Sequence, residues 1–221
     1  MAFYVPFNDR NLEISFFMLK PTGECADDII DVLKQVSLYT TSLGCIQSSI
    51  LKSIHGNLII WNGAWIKRSK ENKILLSAAL LSMLSSLANM ATLMDHSFFN
   101  SYTGESRDGS PAVRFYTGDI VSLSSASLVD ANESNENSVA YACLAMFKDR
   151  FRKMVGANCG VCLRSHILPR IACLFVWDSL QSCYSYILKT DYRKAILPYL
   201  DGFSLDIKYD VFRVVYVSGH S

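Results

Sequence analysis

Leu58-Ile59-Ile60-Trp61-Asn62-Gly63-Ala64-Trp65-Ile66-Lys67 sets an Asn-Gly pair between aromatic and β-branched residues, and an apolar text follows as far as Met94. Asn and Gly tolerate the positive φ that a type I′ turn demands at both central positions, so the stretch predicts a tight β-hairpin. The text behind it opens at Ser69-Lys70-Glu71-Asn72 and carries no charge from Ile74 to Met94, which predicts a long helix packed on that hairpin. The fold class expected from this pair is α+β, a central antiparallel or mixed sheet with a long buried helix.

Reading outward, Leu12 to Leu19 begins with alternation and predicts a strand. Asp27 or Asp28 opens a helix through Ile29, Ile30, Leu33 and Val36, which Gly44 closes. Cys45 to Ile54, Ala112 to Tyr116, Asp119 to Ser125, Arg170 to Trp177 and Tyr209 to Val217 read as strands, and Asp178 to Leu200 as a helix ending near Pro198 and Gly202. Asp130 to Ser138 is polar and reads as a surface loop, while Val139 to Phe147 fits a central strand or a helix equally. No internal repeat stands out. The organisation expected is a sheet-and-helix core over residues 1–155 and a C-terminal β-α-β extension over 156–221, within one domain or two.

With 221 residues, half of them hydrophobic, the chain has material for a substantial core. Lys and Arg number 21 against 20 Asp and Glu, so no global field draws it to nucleic acid or acidic lipid. Phe147-Lys148-Asp149-Arg150-Phe151-Arg152-Lys153 mixes aromatics with bases, but reads best as a solvated helix turn. Met1 to Arg10 lacks the features of a signal peptide, and seven cysteines sit mostly in apolar runs; both fit a cytoplasmic location, with the nucleus as the other reducing compartment. Ser82, Ser85, Ser86, Asn89 and Thr92 recur every three or four residues through the uncharged run, a polar stripe that argues against a transmembrane span.

Chemistry has few candidates. Cys159-Gly160-Val161-Cys162, with His166 and Cys173 downstream, offers the residue types of a zinc tetrahedron or a redox pair, against the simpler reading of buried thiols. Gly104-Glu105-Ser106-Arg107-Asp108-Gly109 is one residue too long for a nucleophile elbow, and no glycine-rich loop has phosphate-binding spacing. His55, His96, His166 and His220 are far apart, and Asp95-His96 is the one adjacent acid and imidazole. The reading therefore leans away from an enzyme without deciding it, since an active site assembled from distant residues leaves no linear trace, and expects no cofactor, zinc at Cys159, Cys162, His166 and Cys173 being the alternative.

Two resemblances follow from quoted text. Leu58 to Ile66 followed by Ile74 to Leu84, within residues 44–153, resembles roadblock and longin-type modules in its pattern of apolar positions. The whole chain resembles a plant-specific family of unknown function, through Val5-Pro6-Phe7-Asn8-Asp9-Arg10-Asn11-Leu12-Glu13, Ser53-Ile54-His55-Gly56-Asn57-Leu58 and Phe203-Ser204-Leu205-Asp206-Ile207-Lys208-Tyr209. The roadblock and longin resemblance implies a non-catalytic interaction module, an adaptor subunit of a trafficking or small-GTPase-regulating complex, acting as a homodimer or in a hetero-complex. Its docking surface is expected at Trp61 and Trp65 on the hairpin and at Ser82, Ser85, Ser86 and Asn89, small polar residues that let a second helix approach. No nucleic acid partner is expected.

Overall fold

The computed structural model describes residues 1–128, 141–142, 144–145, 147–165, 170–189 and 205–219. Its strands are β1 (Ala2–Pro6), β2 (Leu12–Pro21), β3 (Cys45–Ser53), β4 (Ile59–Ile66), β5 (Ala91–Ser106), β6 (Ala112–Tyr116), β7 (Ile120–Leu128), β8 (Ala157–Ser165), β9 (Arg170–Trp177) and β10 (Leu205–Gly219). Helices α1 (Ala26–Ser42), α2 (Lys70–Leu84) and α4 (Leu180–Lys189) lie between them, and the described residues between 141 and 151 form α3. The text from Val139 that fitted either class is thus helical where described, and Asp130 to Ser138 lies outside the described residues. Among the described residues no helix is long and apolar enough to cross a membrane.

Eight strands close into an antiparallel barrel in the order β10-β3-β4-β2-β5-β8-β9-β7. The expected open sheet over a long buried helix is therefore wrong, and with it the roadblock and longin-like architecture. Closure removes the edges that an open sheet would have to protect. β1 and β6 pair as a separate ribbon whose Phe3 and Phe115 rings stack at 5.0 Å. That ribbon's buried face joins one core with inward residues such as Phe16, Leu51, Val161, Leu174 and Phe212. Gly104 lets the ribbon's end close down, because a Cβ there would meet the Phe7 ring at 1.9 Å.

The bend expected at Asn62-Gly63 does not exist: β4 runs straight through both residues. The turn lies one segment earlier, where Ser53 N–H donates to the Leu58 carbonyl at 2.9 Å and Gly56 N–H to the Ser53 hydroxyl at 2.8 Å. Gly63 is needed for room instead. A Cβ there would stand 2.9 Å from both Trp61 Cη2 and Trp65 Nε1, since the two indoles project from the same strand face.

The long helix is also shorter than its text suggested. Ser69 caps α2 by accepting from Asn72 N–H at 3.3 Å, as expected, but the helix ends at Leu84. There the Ser85 and Ser86 hydroxyls donate back to the Ser82 and Met83 carbonyls, a local competition that favours termination. From Ala91 the same uncharged text becomes β5, because pairing with β2 and β8 outweighs helical propensity.

An internal duplication underlies the barrel. The segments β2-α1-β3-β4-α2-β5 and β7-α3-β8-β9-α4-β10 share one element order, and their strands lie in the matching orders β3-β4-β2-β5 and β8-β9-β7-β10. The fourth strand of each half pairs with the second strand of the other, giving a pseudo-two-fold arrangement. Register shows the equivalence residue by residue. Ser15 lies opposite Gly63 and Ser122 opposite Phe175, and in each half the residue two further on is a tryptophan, Trp65 or Trp177. Both indoles donate from Nε1 to that serine hydroxyl at 2.9 Å.

Replacing either indole by phenylalanine strands a buried serine hydroxyl. Trp65→Phe and Trp177→Phe are each expected to lower unfolding free energy in urea by about 1–3 kcal/mol. A loss confined to one of them would break the proposed equivalence of the halves.

Candidate functional site

Outside the barrel, α1 and α2 cover the first half through Phe17, Ile29, Leu33, Trp61, Leu76 and Leu80. Phe17 lies opposite Trp61, their rings 5.8 Å apart, and the Trp61 indole reaches α1 to donate to the Ser37 hydroxyl at 2.9 Å. At the equivalent register of the second half stand Ser124 and Cys173. Two large aromatic residues are replaced by two small ones, and a cavity of about 200 Å³ opens there. Its wall is almost wholly apolar, from Phe147, Met154, Phe175 and Ile187, with Ser122, Ser124, Cys173, Arg150, Tyr186 and Tyr209 supplying the polar atoms.

Two aromatic rings of the cavity wall, Phe147 and Phe175, are backed by a third, Phe151. Phe147, Phe151 and Phe175 lie nearly parallel, at centroid separations of 5.9, 5.4 and 6.4 Å. Phe147 and Phe151 sit four residues apart on α3 and so share a face, which also brings Arg150 to the cavity. Arg107 holds the end of this helix: it donates to the Phe151, Met154 and Ala157 carbonyls at 3.1, 2.9 and 2.7 Å, and its guanidinium covers the Phe151 ring at 5.3 Å. Cations at a helix C-terminus are favoured by the negative end of the dipole. Arg150 in turn donates to the Tyr186 hydroxyl at 3.5 Å, and Tyr186 rests on Trp177.

A second, larger opening of about 890 Å³ lies between α2 and the strands β5 and β8. Leu76, Leu80 and Leu84 seat α2 on the sheet, whereas the neighbouring stripe of Lys73, Ile74, Ser77, Ala78 and Leu81 faces this cleft. Ser77 and Ala78 are too short to bridge the gap, which keeps it open. His96 stands in the cleft with its ring stacked on Phe17 at 5.7 Å, and Lys70 and Lys73 are at its rim. Lys73 pairs with the buried Glu13 beneath α2.

The residues singled out by sequence are placed as follows. Cys159 and Cys162 share β8, and a spacing of three on a strand puts them on opposite faces: Cys159 joins the barrel interior, Cys162 the outer cluster with Phe147, Ile171 and Cys173. They cannot ligate one ion, so the zinc alternative falls; among the described residues no three His, Cys, Asp or Glu side chains gather as metal ligands. His166 and His220 lie outside the described residues. Gly160 serves the aromatic wall, since a Cβ there would meet Phe175 at 2.4 Å and Phe147 at 3.2 Å. Burial pushes the Cys159 thiol pKa up.

Trp61 and Trp65 are fully buried, not exposed anchors. Ser82, Ser85, Ser86 and Asn89 are exposed where α2 ends. Asp95 does not orient His96; it pairs with Arg170, which also donates to the Ser97 hydroxyl at 3.0 Å. His55 packs on Tyr184. Arg150 lines the cavity and does not belong to the solvated basic turn expected of Phe147 to Lys153; the Phe147-x-x-Arg150-Phe151 spacing is the signal of a helix face turned inward.

A family described as a domain of unknown function (DUF7392) matches residues 97–212, which include every residue lining the smaller cavity. No curated protein matches significantly. Among solved structures, an anthrone oxidase-like protein superposes with a TM-score of 0.76 at 15% identity, covering 97% of this chain and 95% of its own. A candidate monooxygenase from Fusobacterium nucleatum gives 0.62 at 8% identity, with 94% of each chain covered. A heme-binding protein from Thermus thermophilus gives 0.54 at 11% identity, covering 97% of this chain and 93% of that one. These likenesses fix the barrel fold. They stand where the plant-specific family and the roadblock and longin modules were expected; plant origin is not shown, and the adaptor reading built on those modules loses its basis.

Gly160→Ala tests the wall directly. Its methyl is expected to drive Phe175 toward the cavity and to lower unfolding free energy by about 1–3 kcal/mol, as overpacking does. Unchanged stability in urea would show that the rings do not rest on that glycine.

Proposed function

The chain belongs to the family described as a domain of unknown function (DUF7392), and on that premise we propose that it binds a small flat aromatic molecule in the cavity beneath α3 and α4 and oxidises it with dioxygen. One observation carries the reading: at the register where the first half packs Phe17 against Trp61, the second half leaves Ser124 and Cys173 and a cavity of about 200 Å³. A space shaped by removing two aromatic side chains suits an aromatic guest. The names of the neighbours, anthrone oxidase-like and monooxygenase, supply the reaction class.

Each residue has a task in that chemistry. The parallel rings of Phe147 and Phe175 offer a face for stacking and keep water out. Removal of a proton from an electron-rich phenol or anthrone leaves an anion that dioxygen oxidises, and the Arg150 guanidinium stabilises that anion. For an anthrone the balance is simple: the methylene loses both hydrogens, one oxygen atom becomes the carbonyl and the other leaves as water. The Tyr186 and Tyr209 hydroxyls are the groups at hand to position the substrate oxygen.

The test uses anthrone as the probe, with binding followed by Trp177 fluorescence and turnover by oxygen uptake. Wild type is expected to bind saturably. Cys173→Trp, which restores the first half's large residue, is expected to weaken binding at least tenfold with an unchanged circular dichroism spectrum, and Arg150→Met to slow oxygen uptake more than it weakens binding. Equal binding by Cys173→Trp would overturn the site, and no uptake by wild type would overturn the reaction.

A second reading attaches to the larger cleft and replaces the expectation of no cofactor. Its donor set fits haem: imidazole is a usual axial ligand, lysines suit propionates, and Ile74, Ala78, Leu81 and Phe98 give apolar surface for a macrocycle. His96 would hold the iron and Lys70 a propionate, Lys73 being engaged with Glu13. The haem would supply one-electron and oxygen chemistry. Titration of the protein with hemin is expected to give a sharpened Soret band with one equivalent, lost in His96→Ala; a spectrum that His96→Ala leaves unaltered rejects this reading.

A further inference from the structure

Cys162 on β8 lies directly opposite Cys173 on β9, and their Sγ atoms are 2.7 Å apart. Directly opposed residues of an antiparallel pair have Cα atoms about 4.5–5.5 Å apart, inside the span that a disulfide bridges without backbone movement. Both side chains are buried on the outer face of the sheet, in a cluster with Phe147 and Ile171. The pair nonetheless has a path to solvent, because Cys173 lines the cavity beneath α3 and α4. We propose that Cys162 and Cys173 are a redox-active dithiol, a modification site that hydrogen peroxide entering this cavity converts to a cross-strand disulfide.

The step balances without another reactant. The Cys173 sulfur attacks one peroxide oxygen; an S–O bond forms, the O–O bond breaks, and hydroxide leaves as water with the thiol proton. The Cys162 sulfur then attacks the sulfenic sulfur of Cys173; the S–S bond forms, the S–O bond breaks, and a second water leaves with the Cys162 proton. Two electrons pass from the sulfurs to the peroxide. The CxxC spacing suggested Cys159 as the partner of Cys162, but alternation along β8 turns Cys159 to the other face of the sheet.

The other buried cysteines, Cys45, Cys159 and Cys183, compete poorly. Burial pushes the Cys45 and Cys183 thiols up to about 11, and the Cys159 thiol upward as well, so little of each is thiolate at neutral pH. None of the three has a second cysteine sulfur in hydrogen-bonding contact among the described residues. Selectivity for Cys162 and Cys173 thus comes from position, two sulfurs 2.7 Å apart with one of them at the cavity wall.

The experiment treats the reduced, folded full chain with a modest excess of hydrogen peroxide, alkylates it under denaturing conditions and maps tryptic peptides by tandem mass spectrometry. The expected result is two fewer alkylated thiols among the seven and a link between peptides Met154–Arg164 and Ile171–Lys189, with fragments placing it at Cys162 and Cys173. Dithiothreitol should restore both thiols. In Cys162→Ser the link is lost and Cys173 becomes labelled by dimedone, the trap for a sulfenic acid. Full alkylation of wild-type Cys162 and Cys173 after peroxide, or a link mapped to Cys159 or Cys183, overturns the proposal. Neither readout depends on anthrone binding, so failure of the cavity's proposed reaction leaves this test intact.

Discussion

The hydrogen bond from each tryptophan to a serine across the sheet, Trp65 to Ser15 and Trp177 to Ser122, fixes the register on which the rest of the molecule depends. On a strand, a slip of one residue exchanges the two faces entirely. Pinning an indole nitrogen to one hydroxyl in each half decides which residues enter the barrel and which meet the helices. Inside, one continuous core joins both halves to the ribbon of β1 and β6. Outside, each half has its own helix layer, and the two layers share a frame without sharing side chains.

Within that frame, what differs between the halves is the size of the side chains. The first half spends its outer face on packing: Phe17, Trp61 and Trp65 crowd so closely that Gly63 is the residue that fits between them. The second half moves bulk by one place, with Phe175 at the position of Gly63 and Cys173 at that of Trp61. Gly160 on the adjacent strand then accommodates Phe175. Space taken from one position and returned at the next converts a solid core into a walled cavity. The helix above it must be held from outside, and Arg107 does so by gathering the Phe151 and Met154 carbonyls where α3 ends and the Ala157 carbonyl where β8 begins.

Many elements were legible in the sequence. The strands at Arg170 to Trp177 and within Leu205 to Gly219, the cap at Ser69 and the stop at Gly44, with φ of +86°, follow from alternation, capping and turn chemistry. The arrangement of those elements was not legible, for a physical reason at two places. Asn62-Gly63 carries the local signature of a turn, yet its glycine answers a crowding between indoles that only the folded strand creates. In the uncharged run from Ile74 to Met94 the polar residues keep a helical spacing as far as Thr92, past the end of α2 at Leu84, so the text does not mark where helix yields to strand and pairing of β5 with its neighbours decided the matter. The duplication left little trace in the text for the same reason: equivalence between the halves lives in register, where Gly63 answers Phe175 and Trp61 answers Cys173, and in few shared letters.

The cysteines show how far that difference reaches. Along the chain, Cys159 and Cys162 are near neighbours and Cys173 is a distant third; in a helix or a tight loop the first two would meet. On an extended strand, odd spacing separates them by the thickness of the sheet, and a hairpin-like pairing of β8 with β9 brings the distant one alongside. On its other edge β9 pairs with β7, which puts Cys173 at the cavity wall beside Ser124, where the first half has Phe17 and Trp61. Cys173 in the place of an indole therefore does two things at once: together with Ser124 it opens the cavity, and it leaves there a sulfur within reach of a second one. An indole at that position would close the cavity and remove the thiol pair together, so both features of the second half are tied to the absence of the residue that stabilises the first.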